Sequence, residues 1–107
     1  MSITEKIDGI AVTTKANVYF DGKCVSHAIT FADGTRKSVG VIMPAALTFS
    51  TGAPEIMEGV GGSCRVRLKG ETEWTTWGAG ESFKVPGNSS FDIEVIGEPY
   101  HYICHFG

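Results

Sequence analysis

The sequence predicts a small all-β domain, and three observations lead to that prediction. The 107-residue chain contains many short segments rich in Val, Ile, Phe, Tyr and Thr, which are the residue types that strands favour. Turn signals such as Asp21-Gly22 and Asp33-Gly34 separate these segments. No window shows the 3.6-residue apolar period of an amphipathic helix. Many short strands with frequent turns are typical of a sandwich or a barrel.

Three segments alternate between two faces, as half-buried strands do. In residues 64–68, Arg65 and Arg67 lie on the face opposite three apolar side chains, and in residues 91–95 two acidic residues alternate with three apolar ones. In residues 24–31, His27 shares a face with Val25, Ile29 and Phe31. We therefore expect His27 to be a hydrogen-bonded core histidine.

Composition limits both the architecture and the partners. The chain is 42% apolar, which suits one domain over residues 1–107, with residues 1–15 as an N-terminal extension or edge strand. A net charge of −3 argues against a nucleic-acid polymer as partner, because a phosphate backbone selects a basic face. One or two placed cations would still suffice to hold a small anion.

Location and redox state follow from what the chain lacks. It has no apolar run near the roughly 20 residues that span a bilayer, and no export signal, so we expect no membrane partner. Cys24, Cys64 and Cys104 are odd in number and lie 40 residues apart, which fits neither a disulfide framework nor a Cys-x-x-Cys motif. These features predict a reduced, cytoplasmic protein.

The second half of the chain resembles the cupin superfamily. Glu55 is followed after six residues by Gly62, as at the end of the first cupin motif, and Gly80 and Pro86 match the second motif. Asn88 replaces that motif's second glycine and tolerates the same left-handed turn. The resemblance implies a small double-stranded β-barrel, or jelly roll.

Most of the metal-binding residues of the cupin motifs are replaced by other residues in this chain. Counting back from Glu55, the His-x-His pair falls on Thr48 and Ser50, or on Phe49 and Thr51 with the shorter spacing. The histidine of the second motif becomes Phe91, so Glu55 alone remains of four ligands. His101 and His105 stand roughly 13 Å apart on one strand, too far to share an ion. We therefore predict that the protein has no metal and no other cofactor.

A closer resemblance runs from residue 16 to residue 106. It is carried by the sequence ANVYFDGK at residues 16–23, SVGVI at 38–42, LTFST at 47–51, PEIME at 54–58 and FKVP at 83–86. These stretches are similar to the pyrimidine/purine nucleoside phosphorylases. The resemblance implies a homodimer that converts a nucleoside and inorganic phosphate into a free base and a pentose 1-phosphate. It assigns no catalytic residue.

Glu55 is the predicted catalytic residue, because it keeps the barrel-facing position. It would act as a general acid toward the base or as an acceptor for ribose hydroxyls. An ion pair with a nearby Arg is the alternative. Thr48, Ser50 and Thr51 would bind phosphate or ribose oxygens, unless they are ordinary strand residues.

Cations and aromatic rings supply the other candidates. Arg65 and Arg67, about 7 Å apart, would bracket an oxyanion, although a solvated strand face or salt bridges in a dimer explain them equally well. Lys23 is a second phosphate candidate, and Tyr102 would stack on a nucleobase unless it packs in the core or at an interface. We expect Arg36-Lys37 to be plain surface. Cys104 is not expected to be a nucleophile, because the neighbouring His105 points to the other face.

Two other functions remain open at this point. A non-catalytic cupin that binds a nucleoside or a sugar would need the same hydroxyl and aromatic contacts. A metal-dependent cupin oxygenase or isomerase would need the histidines that the chain lacks.

Overall fold

The computed structural model of the protein describes residues 3–106. Over this range the chain is built from short strands and one 3-10 turn, Phe20–Gly22. The strands are β1 (Ile10–Val12), β2 (Asn17–Tyr19), β3 (Cys24–Phe31), β4 (Arg36–Ile42), β5 (Ala45–Ser50), β6 (Glu55–Gly61), β7 (Ser63–Leu68), β8 (Thr75–Gly78), β9 (Ser82–Val85), β10 (Ser90–Val95) and β11 (Tyr100–Phe106). No helix in this range is long and apolar enough to cross a membrane.

Two antiparallel sheets face each other. The larger has the order β1-β3-β4-β11-β6-β9, with β2 also paired to β3, and the smaller has the order β5-β10-β7-β8. Some neighbouring strands are distant in sequence, since β4 pairs with β11 and β5 with β10, whereas β3 pairs with the consecutive strand β4. The all-β, cupin-type barrel predicted from the sequence is confirmed.

The core lies between the sheets. The alternation predicted for residues 64–68 and 91–95 holds, because Val66, Phe91 and Ile93 are buried while the charged residues between them face outward. The apolar cluster draws on both sheets and consists of Cys24, Ile42, Met57, Cys64, Val66, Phe83, Val85, Phe91, Ile93, Val95, Tyr100, Tyr102 and Cys104. A shared core of this kind holds two sheets as one unit.

Two tyrosines of β11 lie flat against glycines of the neighbouring strands. A side chain at Gly40 would meet the Tyr102 ring, and one at Gly59 would meet Tyr100. The two rings stack with centroids 6.2 Å apart and an interplanar angle of 15°. The absence of a side chain at Gly40 therefore sets the position of the Tyr102 phenol inside the barrel.

Part of the outer face of the larger sheet is apolar and covered. Ile29 and Ile103 are buried but lie outside the barrel core. Thr4 of the N-terminal segment donates a hydrogen bond to Glu58 of β6 at 2.6 Å, and β1 pairs with β3 as an edge strand. This segment and the sheet border a groove of about 500 Å³.

His27 lies on this outer face and not in the barrel core. Its Nδ1 is 3.1 Å from the carbonyl oxygen of Thr13. The prediction of a hydrogen bond is confirmed, whereas the predicted core position is wrong. The reason is that the interior face of β3 carries the small residues Cys24 and Ser26, both of which are buried.

Turn signals in the sequence fall where the chain reverses. Gly34, with φ of 88°, closes the β3–β4 turn, in which the Thr35 amide donates to the Asp33 carboxylate. Asn88 has φ of 50°, as expected for a residue that replaces glycine. Phe20 and Asp21 also adopt left-handed conformations between β2 and β3, with φ of 52° and 53°. For a bulky residue such as Phe20 this conformation is uncommon.

Candidate active site

A cavity of about 180 Å³ opens at one end of the barrel between the two sheets. Its mouth lies where β11 ends and β6 begins, because Phe106 pairs with Glu55 across these strands. The lining residues are Tyr19, Ser26, Ser38, Ile42, Phe49, Ser50, Glu55, Met57, Phe91, Tyr102, Cys104 and Phe106. We call this cavity the Glu55 pocket.

Glu55 supplies the carboxyl group of the pocket. It is the first residue of β6 and is held between β11 and β9, where it pairs with Phe106 and Val85. Burial raises the pKa of Glu55, and a hydrogen bond from the Cys104 thiol offsets part of that rise. A carboxyl group in this setting is partly desolvated, which favours its protonated form.

Cys104 remains a thiol beside Glu55. Burial, with the adjacent Glu55 carboxylate, raises the pKa of Cys104 to about 12. A thiol reacts as a nucleophile only when it ionises. Cys104 is therefore suited to donate a hydrogen bond and not to attack a substrate.

Hydroxyl groups line the side of the pocket formed by the larger sheet. Ser26 of β3 and Ser38 of β4 lie on adjacent strands, and both are largely buried. The Tyr102 hydroxyl is 3.5 Å from Cys24 Sγ, and burial raises the pKa of Tyr102. These groups offer neutral donors and acceptors near Glu55.

Aromatic rings form the side contributed by the smaller sheet. Phe49 of β5 and Phe91 of β10 stack with centroids 5.6 Å apart. Phe20, in its left-handed turn, packs edge-on against Phe49 at 5.2 Å. Tyr19 and Phe106 stand half-exposed at the mouth. The pocket therefore has one polar wall and one flat apolar wall.

Of the three predicted substrate-binding hydroxyls, only Ser50 lines the pocket. Thr48 lies on the outer face of the smaller sheet and donates a hydrogen bond to Asp92 at 2.8 Å, so the expectation that it points into the barrel is wrong. Thr51 is buried, where it donates to the Pro86 carbonyl at 2.6 Å and accepts from the Ser89 amide at 3.0 Å. The register of β5 on β10, which places Phe49 opposite Phe91, decides this arrangement.

The predicted phosphate-binding cations lie outside the pocket. Arg65 pairs with Glu94 at 2.8 Å and Arg67 with Asp92 at 2.9 Å, on the outer face of the smaller sheet. Both guanidinium groups also stack on the Trp74 ring. Lys23 is exposed at the start of β3 and lines neither the pocket nor its mouth. The solvated-face alternative explains Arg65 and Arg67.

Aromatic rings stand at two of the positions that hold metal ligands in the cupin motifs. Phe49 and Phe91 occupy the interior of the barrel beside Glu55, and a phenyl ring offers no ligand atom. Within residues 3–106 no group of three His, Cys, Asp or Glu side chains lies close enough to hold an ion. Glu55 and Cys104 are the two such groups that line the pocket.

Sequence reasoning missed Ser26 and Ser38, and it rejected Cys104 as a nucleophile without assigning it a place in the site. A signal was present for Ser26, because residues 24–31 alternate between small polar and large apolar side chains. Hydropathy alone predicts that the more apolar face of this strand packs into the core. Here the small polar face lines the cavity instead.

Comparison with known proteins identifies the family. Residues 14–106 match the family described as pyrimidine/purine nucleoside phosphorylase. A protein of that name from Azoarcus sp. (strain BH72) is 82% identical over 107 residues, which is all of both chains. The chain belongs to the pyrimidine/purine nucleoside phosphorylase family. The resemblance noted between residues 16 and 106 is thereby confirmed.

Solved structures share the fold of this family member, in agreement with the cupin-type barrel predicted from the sequence. A protein of unknown function from Acinetobacter sp. ADP1 superposes with a TM-score of 0.93 at 47% identity, covering 97% of this chain and 100% of the other. Oxalate decarboxylase from Bacillus subtilis superposes with a TM-score of 0.64 at 19% identity, over 78% of this chain and 26% of that enzyme. The second likeness concerns the fold alone.

Proposed function

We propose that the protein catalyses the metal-independent phosphorolysis of purine and pyrimidine nucleosides to a free base and a pentose 1-phosphate. The observation that supports this most is the Glu55 pocket, in which a half-buried carboxyl group lies between serine hydroxyls and stacked aromatic rings. The 82% identity to a protein named for this activity supports the reaction class.

The reaction needs no redox partner. The bond from C1′ of the pentose to the base nitrogen breaks, and a phosphate oxygen bonds to C1′. The base keeps the bonding electron pair and takes up the proton that the phosphate brings. Because positive charge develops on the pentose in such cleavages, a carboxyl group near C1′ lowers the barrier, either as an anion or as a proton donor.

The two walls of the pocket suit the two halves of a nucleoside. Ser26 and Ser38 offer hydrogen bonds to pentose hydroxyls. The stacked Phe49 and Phe91 rings face the nucleobase and make no hydrogen bonds to its edge. Stacking on an aromatic ring is possible for every base. Such a wall explains how one site accepts both purines and pyrimidines.

Base release from inosine and uridine, with and without phosphate, tests the proposal. We expect release to require phosphate and to persist after treatment with a chelator. Equal release without phosphate would make the protein a hydrolase. No release, together with a higher melting temperature in the presence of nucleoside, would favour the non-catalytic binding cupin. Activity lost to chelator and restored by a metal would contradict metal independence.

Glu55→Gln tests the carboxyl group. We expect kcat to fall about 100-fold or more, which is the usual contribution of a catalytic acid or base. Glu73→Gln, at an exposed loop position, is the matched control and should keep wild-type kcat. An unchanged kcat in Glu55→Gln would remove Glu55 from the mechanism.

The pH profile separates the two roles of Glu55. If the protonated carboxyl donates to the base, kcat falls as pH rises through the elevated pKa of Glu55. If the carboxylate stabilises the pentose, kcat falls as pH drops through the same pKa. In either case the corresponding limb of the profile should disappear in Glu55→Gln.

A further inference from the structure

A second cavity, of about 380 Å³, adjoins the Glu55 pocket at its mouth. Four residues line both cavities: Tyr19, Ser26, Ser38 and Phe106. The other lining residues of the second cavity are Asn17, Ala28, Arg36 and Lys37. We call this cavity the vestibule.

The two cavities differ in charge. Among the described residues that line the Glu55 pocket there is no Lys or Arg, and Glu55 itself is acidic. The described lining of the vestibule includes Arg36 and Lys37 and contains no Asp or Glu. An anionic co-substrate therefore finds cations in the vestibule, beside the wall that the two cavities share.

Arg36 is the better placed of the two cations. It is the exposed first residue of β4, and strand alternation puts it on the same face as Ser38, which lines both cavities. Within residues 3–106 it makes no ion pair. Lys37 is occupied on the outer face, where its Nζ is 2.6 Å from His105 Nδ1 and 5.5 Å from the centre of the Phe31 ring.

Other cations of the barrel are less suitable. Arg65 and Arg67 are each paired with a carboxylate on the outer face of the smaller sheet. Lys23 lines neither the Glu55 pocket nor the vestibule. Arg36 thus combines a position at the pocket mouth with a guanidinium group that no described carboxylate neutralises.

We propose that Arg36 binds the inorganic phosphate co-substrate in the vestibule, next to the nucleoside in the Glu55 pocket. This assignment rests on the proposed phosphorolysis. A planar guanidinium group donates two parallel hydrogen bonds to phosphate oxygens. The Ser26 and Ser38 hydroxyls line both cavities, so the wall that contacts the pentose also borders the phosphate. A phosphate oxygen held there attacks C1′ while the base departs with the electron pair and the proton.

Arg36→Gln and Arg36→Lys test the assignment by steady-state kinetics with phosphate as the varied substrate. In Arg36→Gln we expect the KM for phosphate to rise about tenfold or more, which is the effect of losing charged hydrogen bonds. The KM for uridine should stay within about twofold, because Arg36 does not line the Glu55 pocket. Arg36→Lys keeps the charge but loses the paired donors, so its effect should be smaller.

Arg65→Gln is the matched control, since it removes an arginine from the opposite sheet. Its phosphate KM should equal that of the wild type. An unchanged phosphate KM in Arg36→Gln, or an equal rise in Arg65→Gln, would overturn the role of Arg36 and leave the proposed function standing.

Phosphate binding without turnover separates the two proposals. If wild-type protein releases no base, the proposed function fails, and the melting temperature with inorganic phosphate then tests the site. A rise in melting temperature that is lost in Arg36→Gln and kept in Arg65→Gln would support the anion site. The same rise in all three proteins, or no rise in any, would overturn it.

Discussion

Two glutamates of β6 show how position on a strand decides the behaviour of a side chain. Glu55 faces the interior, and burial raises its pKa. Glu58 faces outward, and hydrogen bonds from Thr4 and His105, together with the nearby charge of Lys37, lower its pKa. The three-residue separation between them places the two carboxyl groups on opposite faces of the sheet.

These opposite shifts predict opposite effects on stability. The charged form of Glu55 costs stability once pH exceeds its usual pKa of 4.5, so Glu55→Gln should raise the free energy of unfolding at neutral pH. Glu58 contributes stability above 4.5 that is lost as pH falls through its lowered pKa, so Glu58→Gln should lower the free energy of unfolding at neutral pH. Denaturant unfolding of both variants between about pH 3 and pH 8 measures this.

The critical observation is how the difference in unfolding free energy between each variant and the wild type changes with pH. Both differences from the wild type should shrink as the carboxyl groups become protonated in the folded and unfolded states. A Glu55→Gln variant less stable than the wild type at neutral pH would show that the carboxylate is better solvated than its burial indicates. If the Glu55→Gln variant is more stable than the wild type and has lost activity, Glu55 is a residue that serves function at a cost in stability.

At the scale of the strand, the contact between β4 and β11 depends on Gly40. A Cβ atom at this position would stand 2.6 Å from the Tyr102 hydroxyl oxygen and 2.9 Å from the Val25 carbonyl oxygen. The second of these atoms belongs to the backbone and cannot move aside without disturbing β3. The lack of a side chain at Gly40 is therefore needed both for the packing of the strands and for the position of Tyr102, which lines the pocket.

Gly40→Ala should lower the free energy of unfolding by about 1–3 kcal/mol, as overpacked sites do. Gly52→Ala is the matched control, because a Cβ atom there meets nothing within 4 Å. Its effect should stay within about 0.5 kcal/mol. Denaturant unfolding measures both, and equal stability of the two variants would mean that Tyr102 and β3 yield at little cost.

Strands with a clear alternation of apolar and polar residues were predictable from the sequence. The face of the sheet on which each side chain of β5 lies was not. Residues 64–68 and 91–95 coincide with β7 and β10, and their buried faces are those expected. On β5 the motif spacing left two alignments, and the pairing of Phe49 with Phe91 selects the one that turns Thr48 outward. Because side chains alternate with a period of two, a shift of one residue exchanges the two faces.

At the scale of the whole molecule, the N-terminal segment adds a layer to the barrel. The hydrogen bond from Thr4 to Glu58 holds it beside the larger sheet, near Ile103. Ile103 is 4% exposed although it lies outside the barrel core. The sequence predicted an extension or edge strand here and did not indicate what the segment covers.

Deleting residues 1–9 should lower the free energy of unfolding by about 2 kcal/mol or more, the value of uncovering one large apolar side chain. Thr4→Ala is the partial variant, and loss of its single hydrogen bond should cost about 1 kcal/mol. Denaturant unfolding distinguishes the two. Unchanged stability on deletion would contradict a covering role for the segment.

The sequence by itself determined the all-β class, the barrel fold, the turns at Gly34 and Asn88 and the inward position of Glu55, because local turn chemistry and motif spacing depend on residues close together in the chain. Tertiary structure alone decided which hydroxyl and thiol groups line the pocket with Glu55. Ser26 and Ser38 come from the consecutive strands β3 and β4, whereas Cys104 comes from β11, which is distant in sequence and adjacent to β4 in the sheet. Strand register and sheet closure bring them together, and neither is encoded in the period of any single strand.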